Sequence, residues 1–171
     1  MRLGDLNSLD DETAMRAFLR CCGSSRWARQ MTAARPFAGA EAVAGAANAV
    51  WSGLDRADWL EAFAAHPKIG ETRPGGSGVA DWSQEEQAGV AGAAAQSLRR
   101  LTEANRDYAA RFGYIFIVCA TGRTAGEMLT LLEDRLRHDA GEELPVAAEE
   151  QRKITQLRLG KLLEQEPDIT P

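Results

Sequence analysis

Apolar positions recur along most of this chain at helical rather than strand spacing. Asp10-Asp11-Glu12 opens a first segment in which Ala14, Phe18 and Cys22 follow at i, i+4 and i+8, and Gly23 closes it. A short helix is expected over Arg26–Ala33, stopped by Arg35-Pro36. Glu41–Trp51 is Ala-rich and carries Val43, Ala46, Ala47, Val50 and Trp51 on one side. Asp55 can cap the next helix, with Trp59, Leu60 and Phe63 turned inward. A further helix is predicted from Ser83, whose Ser83-x-x-Glu86 spacing is a capping box, to Phe112. Its apolar stripe is Val90, Ala94, Leu98, Leu101, Tyr108 and Phe112, with a bend expected near Gly89 and Gly92.

The run Tyr114-Ile115-Phe116-Ile117-Val118-Cys119-Ala120 breaks the pattern, because it reads by itself as a buried strand. No other stretch offers it a partner. Thr121-Gly122-Arg123 interrupts it, and Thr124-x-x-Glu127 opens a helix with Ala125, Met128, Leu129, Leu132 and Leu136 inward. The last helix is expected to start near Pro145, a residue suited to a first turn. Its stripe is Ala147, Ile154, Leu157 and Leu162, and Arg158 falls on the same face. An inward Arg needs an anionic or polar partner, with Glu85 or Glu149 as ordinary choices, or must snorkel to solvent. The pattern contains neither an internal repeat nor an interdomain linker, so the expectation is one domain spanning 1–171.

The most informative stretch is Ala65–Gln87, AHPKIGETRPGGSGVADWSQEEQ. It places His66 at one helix end and Glu86 in the first turn of the next. Pro67 pushes His66 away from helical dihedrals, which displays the imidazole. A helix C-terminus favours a cation and an N-terminus favours a carboxylate, so the two ends predispose His66 and Glu86 to pair if the loop folds back. The plainer reading is a helix stop, a loop and a helix start. Residues 73–80 are either a tolerated surface loop or a flap over a pocket.

Composition narrows the partners. The 171 residues carry a formal charge of −5, which disfavours nucleic acid and requires local positive charge for any anionic substrate. Three cysteines, Cys21, Cys22 and Cys119, fit a reducing compartment better than a disulfide framework. No apolar run has membrane-span length. MRLGDLNSLDDE lacks a signal-peptide core and the C-terminal Asp168-Ile169-Thr170-Pro171 lacks a peroxisomal address, so a cytoplasmic protein is expected.

His66-Pro67-x-Ile69-Gly70, then Ser83-x-x-Glu86-Gln87, then Tyr108 through Gly122-Arg123, and finally Glu150-Gln151…Lys153-Ile154…Leu157-Arg158-Leu159 occur in that order. Together they resemble the 2-oxo-4-hydroxy-4-carboxy-5-ureidoimidazoline (OHCU) decarboxylase family of urate degradation. The resemblance covers most of the chain. It implies an all-α, single-domain compact multi-helix bundle in which 114–120 is buried and helical or extended. It implies conversion of OHCU to (S)-allantoin and CO2, with His66, Glu86 and Arg158 catalytic. Pro67, Ser83, Gln87 and the turn Ala120, Thr121, Gly122, Arg123 and Thr124 correspond to substrate-binding positions, the turn being the variable part. A homodimer and a functional link to a hydroxyisourate hydrolase are also implied.

The chemistry needs no cofactor. The carbon that loses CO2 is bonded to a C=N carbon of the substrate, so the electron pair flows into that imine, a task otherwise given to a bound electron sink. Reprotonation on one face yields one enantiomer. His66 suits proton exchange near neutrality. Glu86 would orient it and bind ureido or ring N–H groups, with Ser83 and Gln87 adding donors and acceptors, and Arg158 would offset the substrate's negative charge. Three rivals compete. Cys119 could be a nucleophile with His66 or His138 as base, but it sits in an apolar run. A metal centre lacks ligand spacing. A non-catalytic helical module could bind a ureide or scaffold pathway partners.

Overall fold

The computed structural model describes residues 1–67 and 95–164, with side chains from 99 onward in the second span. Within them lie eight helices and no strand: α1 Leu3–Ser8, α2 Asp11–Cys21, α3 Ser25–Ala33, α4 Ala40–Ser52, α5 Arg56–Ala64, α6 Ala95–Phe112, α7 Ala125–Arg135 and α8 Ala140–Glu164. The all-α expectation is met. The predicted helix start at Ser83, the 73–80 loop, the Gly89–Gly92 bend and the stripe positions Val90, Ala94 and Leu98 lie outside the described residues and side chains. The described residues pack into two units, one of residues 1–62 with those from 152 onward, the other Phe63–Gln151.

In the first unit the caps at Asp10 and Asp55 stand where the sequence put them, and Ser24 adds one it did not mark. The Asp10 carboxylate accepts from Thr13 N at 2.8 Å and starts α2. Ser24 Oγ accepts from Trp27 N at 3.3 Å and starts α3. Asp55 Oδ1 accepts from Ala57 N at 2.9 Å ahead of α5. Helix α1 has no counterpart in the sequence reading, since six residues with one buried side chain, Leu6, leave too little periodicity to detect. Phe18 of α2 is fully buried and meets Trp27 and Phe37 edge-on, with ring centroids 6.0 and 6.3 Å away. Burying such a ring contributes about 1.5–3 kcal/mol. Trp27 Nε1 donates to Ala47 O at 3.1 Å, which ties α3 to α4. The end of α8 is fastened to α4 by Gln156 Nε2, which donates to Ala44 O at 3.1 Å and Asn48 Oδ1 at 2.9 Å.

In the second unit α6 packs on α7. Leu101, Tyr108, Phe112, Phe116, Ala125, Met128, Leu129 and Leu132 form its core. A buried polar cluster lies beside it. The Glu143 carboxylate accepts from the Tyr108 hydroxyl, from Arg135 Nε at 2.7 Å, and pairs with His138 Nδ1 at 2.7 Å. Arg135 also lies over the Phe116 ring, 4.6 Å from its centroid.

The run after Gly113 is neither strand nor helix, and the structure supplies the reason. Its backbone groups bond to side chains instead of a neighbouring strand. Phe116 N donates to Asn105 Oδ1 at 3.0 Å, Ile117 O accepts from Arg135 at 2.7 Å, and Cys119 N donates to Glu150 Oε2 at 2.8 Å. An apolar extended segment is thereby accommodated without a sheet, because its buried backbone polar groups still find partners.

Two details of the last helix correct the sequence reading. It starts at Ala140, with Asp139 Oδ1 accepting from Gly141 N and Glu142 N at 2.8 Å each, and Pro145 lies inside it. The Asp139 cap outweighs the preference of Pro for the first turn, and the only intrahelical bond Pro145 forgoes is that to Gly141 O. Leu157, expected inward, is 39% exposed, whereas Arg158, Leu159 and Leu162 are buried. Position 157 lies three residues past Ile154 and 158 lies four past it, so the two flank the stripe on opposite sides.

Candidate functional site

His66 emerges just past the end of α5, where its backbone N–H donates to Phe63 O at 3.1 Å. That bond closes the last turn, and Pro67, half-buried, cannot continue the helix. The imidazole is half-buried, and its Nε2 lies 2.7 Å from the side-chain oxygen of Gln151, 85 residues away. Gln151 is completely buried in α8.

The residue before it, Glu150, reaches a second piece of the predicted site through the Cys119 N–H. From there the chain enters the 120–124 turn. Arg123 N donates to Ala120 O at 3.0 Å, and Gly122 between them has φ +77°. That is the backbone a tight turn with a left-handed third residue requires, and Gly supplies it without a Cβ penalty. Arg123 Nε donates to Cys119 O at 3.2 Å. Thr124 then caps α7: its Oγ1 accepts from Glu127 N at 3.2 Å, and Glu127 Oε2 accepts from Thr124 N at 2.7 Å. The Thr124 N–H, together with the Thr124 hydroxyl that donates to Glu127 Oε2 at 2.8 Å, holds the Glu127 carboxyl below the usual carboxylate range. Thr121, Gly122 and Thr124 are exposed, while Ala120 and Arg123 are half-buried.

Arg158 lies in the first unit and is fully buried, as its place on the stripe predicted. Its charge acts on Cys21 and Cys22, although burial dominates there and pushes the two thiols up to about 12 and about 11. Both are inert thiols at neutral pH. Glu86, Ser83 and Gln87 lie outside the described residues. Among the described residues no group of three His, Cys, Asp or Glu side chains could hold a metal ion. No helix there is long and apolar enough to cross a membrane. A cavity of about 270 Å³ in the first unit, lined by Val43, Ala44, Gln156, Leu159 and neighbours, includes none of the predicted residues.

Sequence reasoning missed Gln151 and Glu150 as parts of this arrangement, although both stood in a quoted motif. The available signal was position. Gln151 falls four residues after Ala147 and three before Ile154, on the apolar stripe, where a polar side chain requires an explanation.

Comparison with known proteins agrees with the motif reading. Residues 7–160 match the family model described as OHCU decarboxylase. A uric acid degradation bifunctional protein of Arabidopsis thaliana is 43% identical over 146 residues, 83% of this chain, and the chain spans only 45% of that protein. A 2-oxo-4-hydroxy-4-carboxy-5-ureidoimidazoline decarboxylase of Haloferax volcanii is 26% identical over 94% of this chain and 95% of its own length. A solved OHCU decarboxylase, crystallised in the presence of (S)-allantoin, is 39% identical, covers 92% of this chain and all of its own, and superposes with a TM-score of 0.77. On the extent of these matches, the chain belongs to the OHCU decarboxylase family.

Proposed function

We propose that this chain decarboxylates OHCU to (S)-allantoin and CO2, with stereospecific reprotonation and no cofactor. The observation that carries this reading is the 39% identical relative spanning 92% of the chain, a decarboxylase solved with (S)-allantoin present. In this reading His66 exchanges protons at the carboxylate and 4-hydroxyl side of the substrate. Glu86 orients His66 and binds ureido or ring N–H groups, and Arg158 balances the substrate's negative charge. Pro67, Ser83, Gln87 and residues 120–124 line the ring. The C–CO2 bond breaks as its electron pair moves into the imine, and one proton delivered to a single face completes the product.

The chain would act as one domain, in the cytoplasm and as a homodimer. A functional link to a hydroxyisourate hydrolase is supported by the bifunctional nature of the Arabidopsis relative, of which this chain corresponds to 45%.

The test adds freshly generated OHCU and follows optical activity, because the family resemblance implies that OHCU also decays unaided to racemic product. The protein should accelerate decay and give one enantiomer. His66→Asn, Glu86→Ala and Arg158→Ala should each lower that rate by about 100-fold or more, the low end for loss of a proton-transfer group. Near-normal rates in all three would show the site to be misplaced, and racemic, unaccelerated decay would leave only a binding role.

A further inference from the structure

We propose that Gln151 is a positioning residue that holds His66 as its Nε2–H tautomer, making Nδ1 the basic atom of the neutral ring. The inference rests on the reading of His66 as proton shuttle, and it moves to Gln151 the orienting role that reading gives Glu86, because a carboxylate would need the N–H that Gln151 already takes.

A neutral imidazole has one donor nitrogen and one acceptor nitrogen, and the partner of either one determines both. Here Nε2 faces the Gln151 side-chain oxygen at 2.7 Å. That oxygen only accepts, so Nε2 carries the hydrogen and Nδ1 the lone pair. The amide in the opposite orientation would donate to Nε2 and select the other tautomer, so the Gln151 orientation chooses the atom that exchanges protons. Gln151 is well placed to hold that orientation because it is completely buried within helix α8, which restricts its rotamers. An amide is also uncharged. It orients the ring without the electrostatic pull that a carboxylate exerts on an imidazolium. Glu150, adjacent on the same turn of α8, binds the Cys119 N–H ahead of the 120–124 turn. A single turn of helix therefore fixes both the imidazole and the entrance to the turn.

The experiment labels histidine with nitrogen-15 and reads the imidazole resonances without substrate. The chain has only 2 histidines, so a His66→Asn spectrum identifies those of His66. The wild-type protein should show a protonated Nε2 and an unprotonated Nδ1 in the neutral ring. Gln151→Met, similar in volume but lacking the acceptor, should populate both tautomers and lower kcat by about 10- to 100-fold, as loss of a histidine-orienting group does, with KM little changed. Gln151→Glu, which keeps the acceptor, should retain the proton on Nε2. A wild-type ring protonated at Nδ1, or a tautomer unchanged in Gln151→Met, overturns the proposal. Failure of the decarboxylase reading is distinguishable, since it appears as unaccelerated, racemic decay of OHCU with the wild-type protein whatever the spectrum, and failure of the shuttle role appears as full activity in His66→Asn.

Discussion

Gly113 and Gly122 offer a matched pair of backbone perturbations, one at the proposed substrate turn and one away from it. Their φ values are +82° and +77°, and a Cβ added at either would meet nothing within 4 Å. Alanine therefore brings no clash, only the cost of left-handed backbone, about 1–2 kcal/mol. Restricting the unfolded chain returns about 0.4–1 kcal/mol of that. The net loss should be about 1 kcal/mol for each variant, a fall in Tm of about 2–4 °C for a chain of this size. The functional outcomes should diverge. Gly113 only ends α6, where its N–H donates to Ala109 O at 2.9 Å, so Gly113→Ala should keep near-normal kcat/KM. Gly122 shapes the Ala120–Arg123 turn, and a displacement of about 1 Å at a substrate contact can cost about 100-fold. Gly122→Ala should therefore lower kcat/KM by about 10- to 100-fold. Thermal melts followed by circular dichroism, with initial rates of chiral product, measure both effects. Equal kcat/KM in the two variants would remove the turn from the site, and an unchanged Tm in both would refute the backbone argument.

Two further outcomes follow from buried groups. Glu143→Ala leaves Arg135 and the Tyr108 hydroxyl without their shared carboxylate and should cost about 3–5 kcal/mol, as breaking buried pairs does; a loss below about 1 kcal/mol in urea unfolding would contradict the network. Cys21 and Cys22, raised to about 12 and about 11, should resist alkylation at neutral pH until the protein unfolds, and rapid native labelling of either, read by mass spectrometry, would contradict their burial. The same shifts fix a sign. Above the ordinary thiol value of 9.0 the unfolded chain ionises first, so stability present below that pH should be lost progressively as pH rises toward the folded values.

Much of the fold is legible because caps and stripes are local. Asp10, Ser24, Asp55 and Thr124 precede helices, three of them marked in advance, since a side-chain oxygen satisfies orphan N–H groups wherever it occurs. The 114–120 run was ambiguous for a reason periodicity cannot reach. Whether an apolar β-branched segment becomes a strand depends on what takes its backbone hydrogen bonds. Here Asn105, Arg135 and Glu150 do so, from 11, 18 and 31 residues away. Pro145 shows the converse error. A local preference placed a helix start, but Asp139 two turns earlier already capped it.

The candidate site was half-legible, and α8 shows where the boundary falls. Its buried face runs through Ala147, Gln151, Ile154, Thr155, Arg158 and Leu162. Three of those six are polar. Packing alone does not call for them, because exchanging buried polar groups for apolar ones of similar volume is often neutral or stabilising. Arg158 was noticed because a charge on an apolar stripe is conspicuous. Gln151 passed unnoticed because an amide is an ordinary helix residue, and the His66 imidazole at 2.7 Å gives its burial a partner. In the proposed reading, two of these inward polar side chains, Gln151 and Arg158, place a proton and a charge.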